Sequence, residues 1–253
     1  MKNIAIKIYI FISNNMLVNN ALILFNLDHK LQLSAGQWKA FSYNNKKTEQ
    51  ENAGFSHREE IEKALVKFKE GLLTFIKTNI PKNSAILDFG CGPGIYLKML
   101  RDNFKIFGID VSENMIKRAQ SEIPEGKFYC GNFLNQHFEE KYKMIYSVSV
   151  LEYVPVSQIN NFFKKSHAIL EDGGFIYIQY PHALKVFDLF YPDRNYISYS
   201  PGTIKKACEP YFDIISHQQF FDGRTINSYD KNPYPTPSKD FRNGYLLIAQ
   251  KKK

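Results

Sequence analysis

An α/β fold, with helices on both faces of a mainly parallel seven-stranded sheet, is predicted by three features of this 253-residue sequence. Apolar runs of strand length alternate with stretches of helical periodicity from Ala85 to Gln250. The first run, Ala85 to Phe89, passes directly into a glycine-rich turn and then into a resumed apolar pattern, the order strand, tight turn, helix. Carboxylates stand toward the ends of the first two runs, at Asp88 and Asp110, on the side of such a sheet where ligands bind.

Before those runs, the chain reads as an N-terminal extension, residues 1–35, ahead of one domain, 36–253, a length that can bury a full core. Between Lys7 and Asp28 no residue is charged. Ser13, Asn14, Asn15, Asn19, Asn20 and Asn26 nevertheless interrupt the span with polar groups that lipid cannot satisfy, so a surface-packed helix or loose tail is expected rather than a membrane segment. A signal peptide fits poorly, because its apolar centre would have to be the short run Ile8 to Ile12. Trp38, Phe41 and Tyr43 form an aromatic cluster that reads as a staple onto the core, with a cap over the binding site as the alternative.

From Ser56 the pattern turns helical: Ser56 and Glu59 have capping-box spacing, and Ile61, Leu65, Phe68, Leu72 and Ile76 share one face up to Pro81. After the glycine turn, Tyr96 to Arg101 reads as a short helix and Phe104 to Asp110 as the second strand. Ser112 is placed to cap the next helix, and Lys127 to Cys130 forms a third strand. Tyr142 begins a fourth strand, which leads into a loop reaching Val154. Ile159 to Leu170 is helical and stops at Glu171-Asp172-Gly173-Gly174; Phe175 to Tyr180 follows as the fifth strand. Thr203 to Cys208 is a short helix, Phe212 to Phe221 the sixth strand and Gly244 to Gln250 the seventh.

Composition narrows the function classes. The 33 basic and 25 acidic residues leave a net charge of +8, but the lysines are spread, and only Lys251 to Lys253 form a run. That is the pattern of a solvated surface rather than of a nucleic-acid binder. Cys91, Cys130 and Cys208 are odd in number and widely spaced; they suit a reducing, cytoplasmic compartment and show no metal-ligand spacing.

The glycine turn carries the chemistry. Gly90, Gly92 and Gly94 allow the backbone to bend and a ligand to approach where a side chain would intrude, next to unpaired N–H groups at a helix start. A dinucleotide fingerprint needs glycine or alanine three residues after Gly92, where this chain has Ile95. Asp110, sixteen residues past Gly94, can accept hydrogen bonds from both hydroxyls of a ribose. The order D-x-G-x-G-x-G from Asp88 to Gly94 resembles the first motif of the class I S-adenosylmethionine-dependent methyltransferases.

That resemblance covers roughly residues 80 to 180 and implies a three-layer Rossmann-like methyltransferase fold whose last strand inserts antiparallel beside the fifth. It implies S-adenosyl-L-methionine as cofactor, bound through Asp88, Gly90, Cys91, Gly92 and Gly94 of the turn, Asp110, and Val111 with Met115 on the adenine faces. Met115 as plain core is the equal alternative. Asn132, which stands where the family commonly has an acid toward the adenine amine, its neighbour Phe133, and Ser147 and Val148 at the end of the fourth strand complete the cofactor-binding set that the resemblance implies. Lys143 replaces a frequent aspartate, and Asp172 stands in place of a proline in the terminating turn.

Nucleic-acid or glutamine methylation is disfavoured, because Ser147-Val148-Ser149 stands where an amine-gripping Asn/Asp-Pro-Pro-Tyr would be. Asn232-Pro233-Tyr234-Pro235 lies far downstream and reads as turn chemistry. The acceptor is expected over the ends of strands four and five, between substrate loops at 181–202 and 222–243. His182, Glu152 and Tyr153 are the candidate catalytic residues there, with His182 best suited to remove a proton from a hydroxyl acceptor. Cys91 has no base adjacent in sequence and is not read as a nucleophile.

The function expected is methyl transfer to oxygen or nitrogen of a small molecule or surface-polysaccharide precursor, the latter from a likeness of the Tyr199 to Tyr245 region to such methyltransferases. An NAD-dependent reductase or epimerase and a non-catalytic S-adenosylmethionine-binding subunit are the alternatives. Neither a metal nor a membrane is implied.

Overall fold

The computed structural model describes residues 59–182, 199–220 and 243–253. The expectations for residues 1–35, for Trp38, Phe41 and Tyr43, for the Ser56 cap and for Asn232 to Pro235 lie outside these residues, as do 183–198 and 222–242 of the two long loops and the last residue, Phe221, of the expected sixth strand.

Helix α1 (Glu59–Asn79) buries Phe68, Leu72 and Ile76 on one face, as their spacing predicts. Strand β1 (Ala85–Phe89) is buried along its whole length, which a central strand covered on both faces requires. Around it lie β2 (Lys105–Asp110), α2 (Glu113–Glu122), β3 (Lys127–Cys130) and β4 (Tyr142–Val148). Then follow α3 (Ile159–Ile169), β5 (Leu170–His182), α4 (Pro201–Cys208), β6 (Phe212–Phe220) and β7 (Asn243–Lys251).

The sheet order is β3-β2-β1-β4-β5-β7-β6. Strands β1 to β5 pair in parallel, while β7 runs antiparallel to both β5 and β6, as the family resemblance implied for the last strand. Because the chain steps outward from β1 to β3 and then crosses back to β4, a crevice opens beyond the carboxyl ends of β1 and β4. Alternation along the strands divides the core in two. Leu87, Ile145, Ile176 and Ile178 join Phe162, Phe163 and Ile204 in one cluster. Ile86, Met144, Tyr146 and Tyr177 join Phe68, Leu72 and Ile116 in the other. Across β7, the buried Tyr180 hydroxyl lies 2.7 Å from Nε2 of His217, linking β5 to β6. Burial lowers the His217 pKa to about 4, so the ring is neutral at neutral pH.

Three local expectations need correction. Where a helix was expected at Tyr96 to Arg101, the chain makes only a 3-10 turn, Leu97–Met99, with i to i+3 bonds from Met99 N to Tyr96 O and from Leu100 N to Leu97 O. The Glu171 to Gly174 turn does not separate helix from strand. Leu170 already pairs with Tyr142, and pairing resumes with Phe175 opposite Met144, so those four residues bulge out of β5 with Gly173 at φ 65°. At its other end β5 extends to His182, and α4 begins at Pro201 behind the cap Ser200, so the predicted loop at 181–202 overlaps both elements.

Candidate functional site

The cleft at the crevice has about 1240 Å³ of empty volume, open solvent at its mouth included. Its lining begins at the glycine turn: Asp88, Gly90, Cys91 and Gly92, with Tyr96 beyond. The turn is folded over the end of β2 by bonds from Gly90 N (2.8 Å) and Cys91 N (3.1 Å) to Ile109 O. Gly90 sits at φ 79°, and a Cβ there would stand 2.2 Å from Cγ2 of Val150, so the loop after β4 presses directly on this glycine. At Gly92 (φ 51°) a Cβ would meet nothing within 4 Å.

Asp110 organises the turn as well as facing the cleft. Its Oδ2 accepts from Gly92 N at 3.0 Å and its Oδ1 from Ser112 N at 2.8 Å. A carboxylate offers about four lone-pair sites, so roughly two remain for a ligand's hydroxyls. Burial raises its pKa, and the N–H groups of Ser112, Gly92 and Val111 oppose that rise. Ser112 then caps α2, its Oγ accepting from Met115 N at 3.4 Å, which fixes Val111 and Met115 on the cleft wall.

Asp88 is 3% exposed, and burial lifts its pKa to about 8; the Tyr146 hydroxyl opposes the rise and the charge of Asp110 adds to it. An unfolded aspartate titrates near 4, so between about pH 4 and 8 the folded form holds a proton that the unfolded form has lost. This group's contribution to stability therefore declines as pH rises through that window and is level above it. Asp88→Asn is expected to raise the melting temperature above that of the unmodified protein by several degrees at pH 9, with no difference near pH 3. Equal gains at both pH values would contradict the burial account.

On the far wall, Gly131, Asn132, Phe133 and Leu134 line the cleft after β3. Asn132 Oδ1 accepts from Leu134 N at 2.8 Å, so this oxygen closes its own turn and leaves the amide nitrogen as the stronger candidate contact. Phe133 is 2% exposed and packs with Phe89 and Phe162 at centroid distances of 5.0 and 5.3 Å. Lys165 of α3 holds this wall, its Nζ donating to Leu134 O at 2.8 Å and Gln136 O at 2.6 Å. It lies 5.7 Å from the Phe133 ring centre and 5.4 Å from that of Phe138, and burial lowers its pKa. Lys165→Met, which keeps the stem and removes the donors, is expected to destabilise the protein by about 1 kcal/mol in urea melts. An unchanged midpoint would remove this clamp.

Of the residues expected at the site, Asp88, Gly90, Cys91, Gly92, Asp110, Val111, Met115, Asn132, Phe133, Val148 and Tyr153 share the cleft. Gly94, Ser147 and Glu152 are not among its lining residues. Gly94 faces α2 instead, where a Cβ would lie 3.2 Å from Ile123 Cδ1, so its smallness serves helix packing. The Ser147 hydroxyl is buried and donates to Phe89 O at 2.9 Å, binding the end of β4 to that of β1. Glu152 is 1% exposed within the 3-10 turn Leu151–Tyr153, behind the cleft surface. His182 ends β5 with its backbone opposite Asn243; its side chain lies outside what is described. Cys91 is buried with its thiol pKa pushed far up by burial, the reverse of an activated nucleophile.

Sequence reasoning missed Ser149, Val150, Val154, Pro155, Gln158 and Phe162, which with Tyr153 form the wall after β4. Only the spacing of Phe162 on α3 could have signalled an inward side chain. Among the described residues no helix is long and apolar enough to cross a membrane, and no cluster of potential metal ligands occurs.

Sheet order, one reversed strand and a cleft beyond β1 and β4 define a class, and residues 86–174 match a family model described as a methyltransferase domain. That stretch is similar to methyltransferase domains. Among curated relatives, sphingolipid C9-methyltransferase 1 of Gibberella zeae is 25% identical over 129 residues, 47% of this chain and 25% of that protein. A trans-aconitate 2-methyltransferase of Variovorax paradoxus is 28% identical over 106 residues, 40% of each chain. The chain thus spans less than half the length of these two relatives. Similar solved structures include the N-methyltransferase NodS of Bradyrhizobium japonicum in complex with S-adenosyl-L-homocysteine (15% identity, TM-score 0.58, 75% of this chain and 88% of that one). Magnesium protoporphyrin IX methyltransferase of Synechocystis, with bound S-adenosylmethionine, is another (16% identity, TM-score 0.55, 78% and 86%). At such identities the likeness is one of fold.

Proposed function

We propose that this protein binds S-adenosyl-L-methionine in the cleft and transfers its methyl group to an oxygen or nitrogen of a small molecule or surface-polysaccharide precursor in the cytoplasm. One observation carries the reading: Asp88 and Asp110 line the cleft, and among the described residues no lysine, arginine or histidine does. Two carboxyl groups without a cation suit a ligand bearing a sulfonium and two ribose hydroxyls, and they offer a pyrophosphate no positive partner. The three-residue 3-10 turn after Gly94 also lacks the full helix N-terminus on which a dinucleotide phosphate rests. The matched relatives' names, with trans-aconitate and sphingolipid as substrates, support a small-molecule acceptor. The polysaccharide precursor rests on the Tyr199 to Tyr245 likeness alone.

In this reading Asp110 holds the ribose, Val111, Met115 and Phe133 enclose the adenine, Asn132 meets its edge, and the glycine turn lies along the methionine. The cofactor supplies an electrophilic methyl group. The protein's part is alignment and exclusion of water, for which Val148, Val150 and Tyr153 offer an apolar wall beside the turn. His182, at the carboxyl end of β5, is the candidate base for a hydroxyl acceptor, and Tyr153 flanks the acceptor's approach.

Transfer of labelled methyl from S-adenosylmethionine to hydroxyl- and amine-bearing acceptors tests this function. With a hydroxyl acceptor kcat/KM should rise as the base loses its proton, and His182→Ala should abolish that rise. A pH profile shared by protein and variant would remove His182 from the chemistry. The Asp88 carboxyl adds a second pH effect. Once ionised above about pH 8 it attracts the sulfonium, so affinity for S-adenosylmethionine relative to uncharged-sulfur S-adenosylhomocysteine should grow roughly tenfold between pH 7 and 9. Parallel pH curves for the two ligands would contradict this.

A further inference from the structure

Ser149 is the one non-glycine residue lining the cleft that has positive φ, at 54°, a conformation that costs a residue with a side chain about 1–2 kcal/mol. Something must hold it there. Ser149 N lies 3.1 Å from Gln179 O and 3.0 Å from Gln179 Oε1, and Ser149 Oγ donates to the same Oε1 at 2.9 Å. Gln179 lies on β5, directly opposite Val148 in the ladder. The next residue, Val150, is the side chain pressed against Gly90 of the turn.

We propose that Gln179 is a positioning residue for the cofactor cleft: its side-chain oxygen locks Ser149 in the left-handed conformation and thereby seats Val150 on Gly90, fixing the gap between the glycine turn and the loop after β4. Gln179 is not among the lining residues, so it acts through Ser149 and Val150 rather than by touching a ligand. The lock needs only an acceptor at the end of a side chain of this length. Glutamate supplies one, and leucine does not. If the lock's work is to pay the conformational cost at residue 149, glycine there makes the lock unnecessary.

The inference rests on the function proposed above, and calorimetric titration with S-adenosylmethionine separates the two. If the unmodified protein does not bind S-adenosylmethionine, both readings fall. If it binds, Gln179→Leu should bind about tenfold more weakly, the factor set by losing the left-handed conformation. Gln179→Glu should stay within about twofold of the unmodified protein, and adding Ser149→Gly to Gln179→Leu should recover affinity relative to Gln179→Leu alone. A residue that served only to pack β5 would show no such rescue. Unchanged affinity in Gln179→Leu, or a double variant no better than Gln179→Leu, overturns the lock while leaving the cofactor assignment standing. Should Gln179→Leu fail to fold, the double variant decides: recovered folding and binding support the lock, and their absence overturns it.

Discussion

Asp110→Ala is expected to weaken S-adenosylmethionine binding by about 2 kcal/mol, roughly thirtyfold, as for the loss of a charge-assisted contact to the ribose. Its carboxylate already accepts from Gly92 N and Ser112 N, so the same substitution should loosen the glycine turn. Asp110→Asn separates these effects. It retains one acceptor oxygen for the backbone but no negative charge, and its affinity should fall between those of the other two proteins. Calorimetry reads both variants. Affinity unchanged in Asp110→Ala would remove this residue from the site and with it the strongest polar contact assigned to the cofactor.

A larger loss of stability is expected from Gly90→Ala, about 3 kcal/mol in denaturant melts. Overpacking a tight contact costs about 1–3 kcal/mol, and left-handed backbone in alanine adds about 1–2. The clash is with Val150, whose Cβ would stand 2.9 Å from the new methyl group, so rotating the valine cannot clear it. Combining Gly90→Ala with Val150→Ala should relieve the contacts with the two γ-carbons at 2.2 and 2.6 Å and recover part of the loss, leaving the 2.9 Å contact with Cβ and the backbone part. Gly92→Ala is the control. With nothing near its Cβ it should cost only about 1 kcal/mol of stability, while its methyl group projects into the open cleft and lowers cofactor affinity. Equal stability losses at the two glycines would mean that the loop after β4 does not bear on the turn.

The parts of this site that could be read in advance are those whose chemistry is local in the chain. Asp88 to Gly94 is a contiguous stretch in which a strand must end, bend and leave room, and residue types alone report that. Asp110 was legible because an acid closing a short apolar run has few structural reasons to be there, and Ser112 because a cap is recognised from its neighbours. Ser149 gave no such signal: serine in left-handed backbone is held by Gln179, thirty positions away in the sequence, and only the β4–β5 register brings them together. Lys165 likewise reads as a surface lysine on an amphipathic helix until the loop after β3 is seen to place two carbonyl groups and two aromatic rings around its amine.

Gly94 and Ser147, expected at the cofactor, are not among the residues that line the cleft. Both lie in motifs whose neighbours face the cleft, and alternation or turn geometry sends these two elsewhere, to α2 and to Phe89 O. The bulge at Glu171 to Gly174 was misplaced for a related reason. Two glycines after a helix look like an ending, and strand pairing by Leu170 ahead of them depends on Tyr142 of the neighbouring strand.

The central claim is that an adenosyl sulfonium, rather than a dinucleotide, occupies the cleft beyond β1 and β4. Titrating the protein separately with S-adenosylmethionine, S-adenosylhomocysteine and NAD tests it most directly. Binding of the first two at one site per chain, weakened together roughly thirtyfold in Asp110→Ala, and no heat of binding from NAD is the expected result. Binding of NAD with no response to either adenosyl ligand would contradict it.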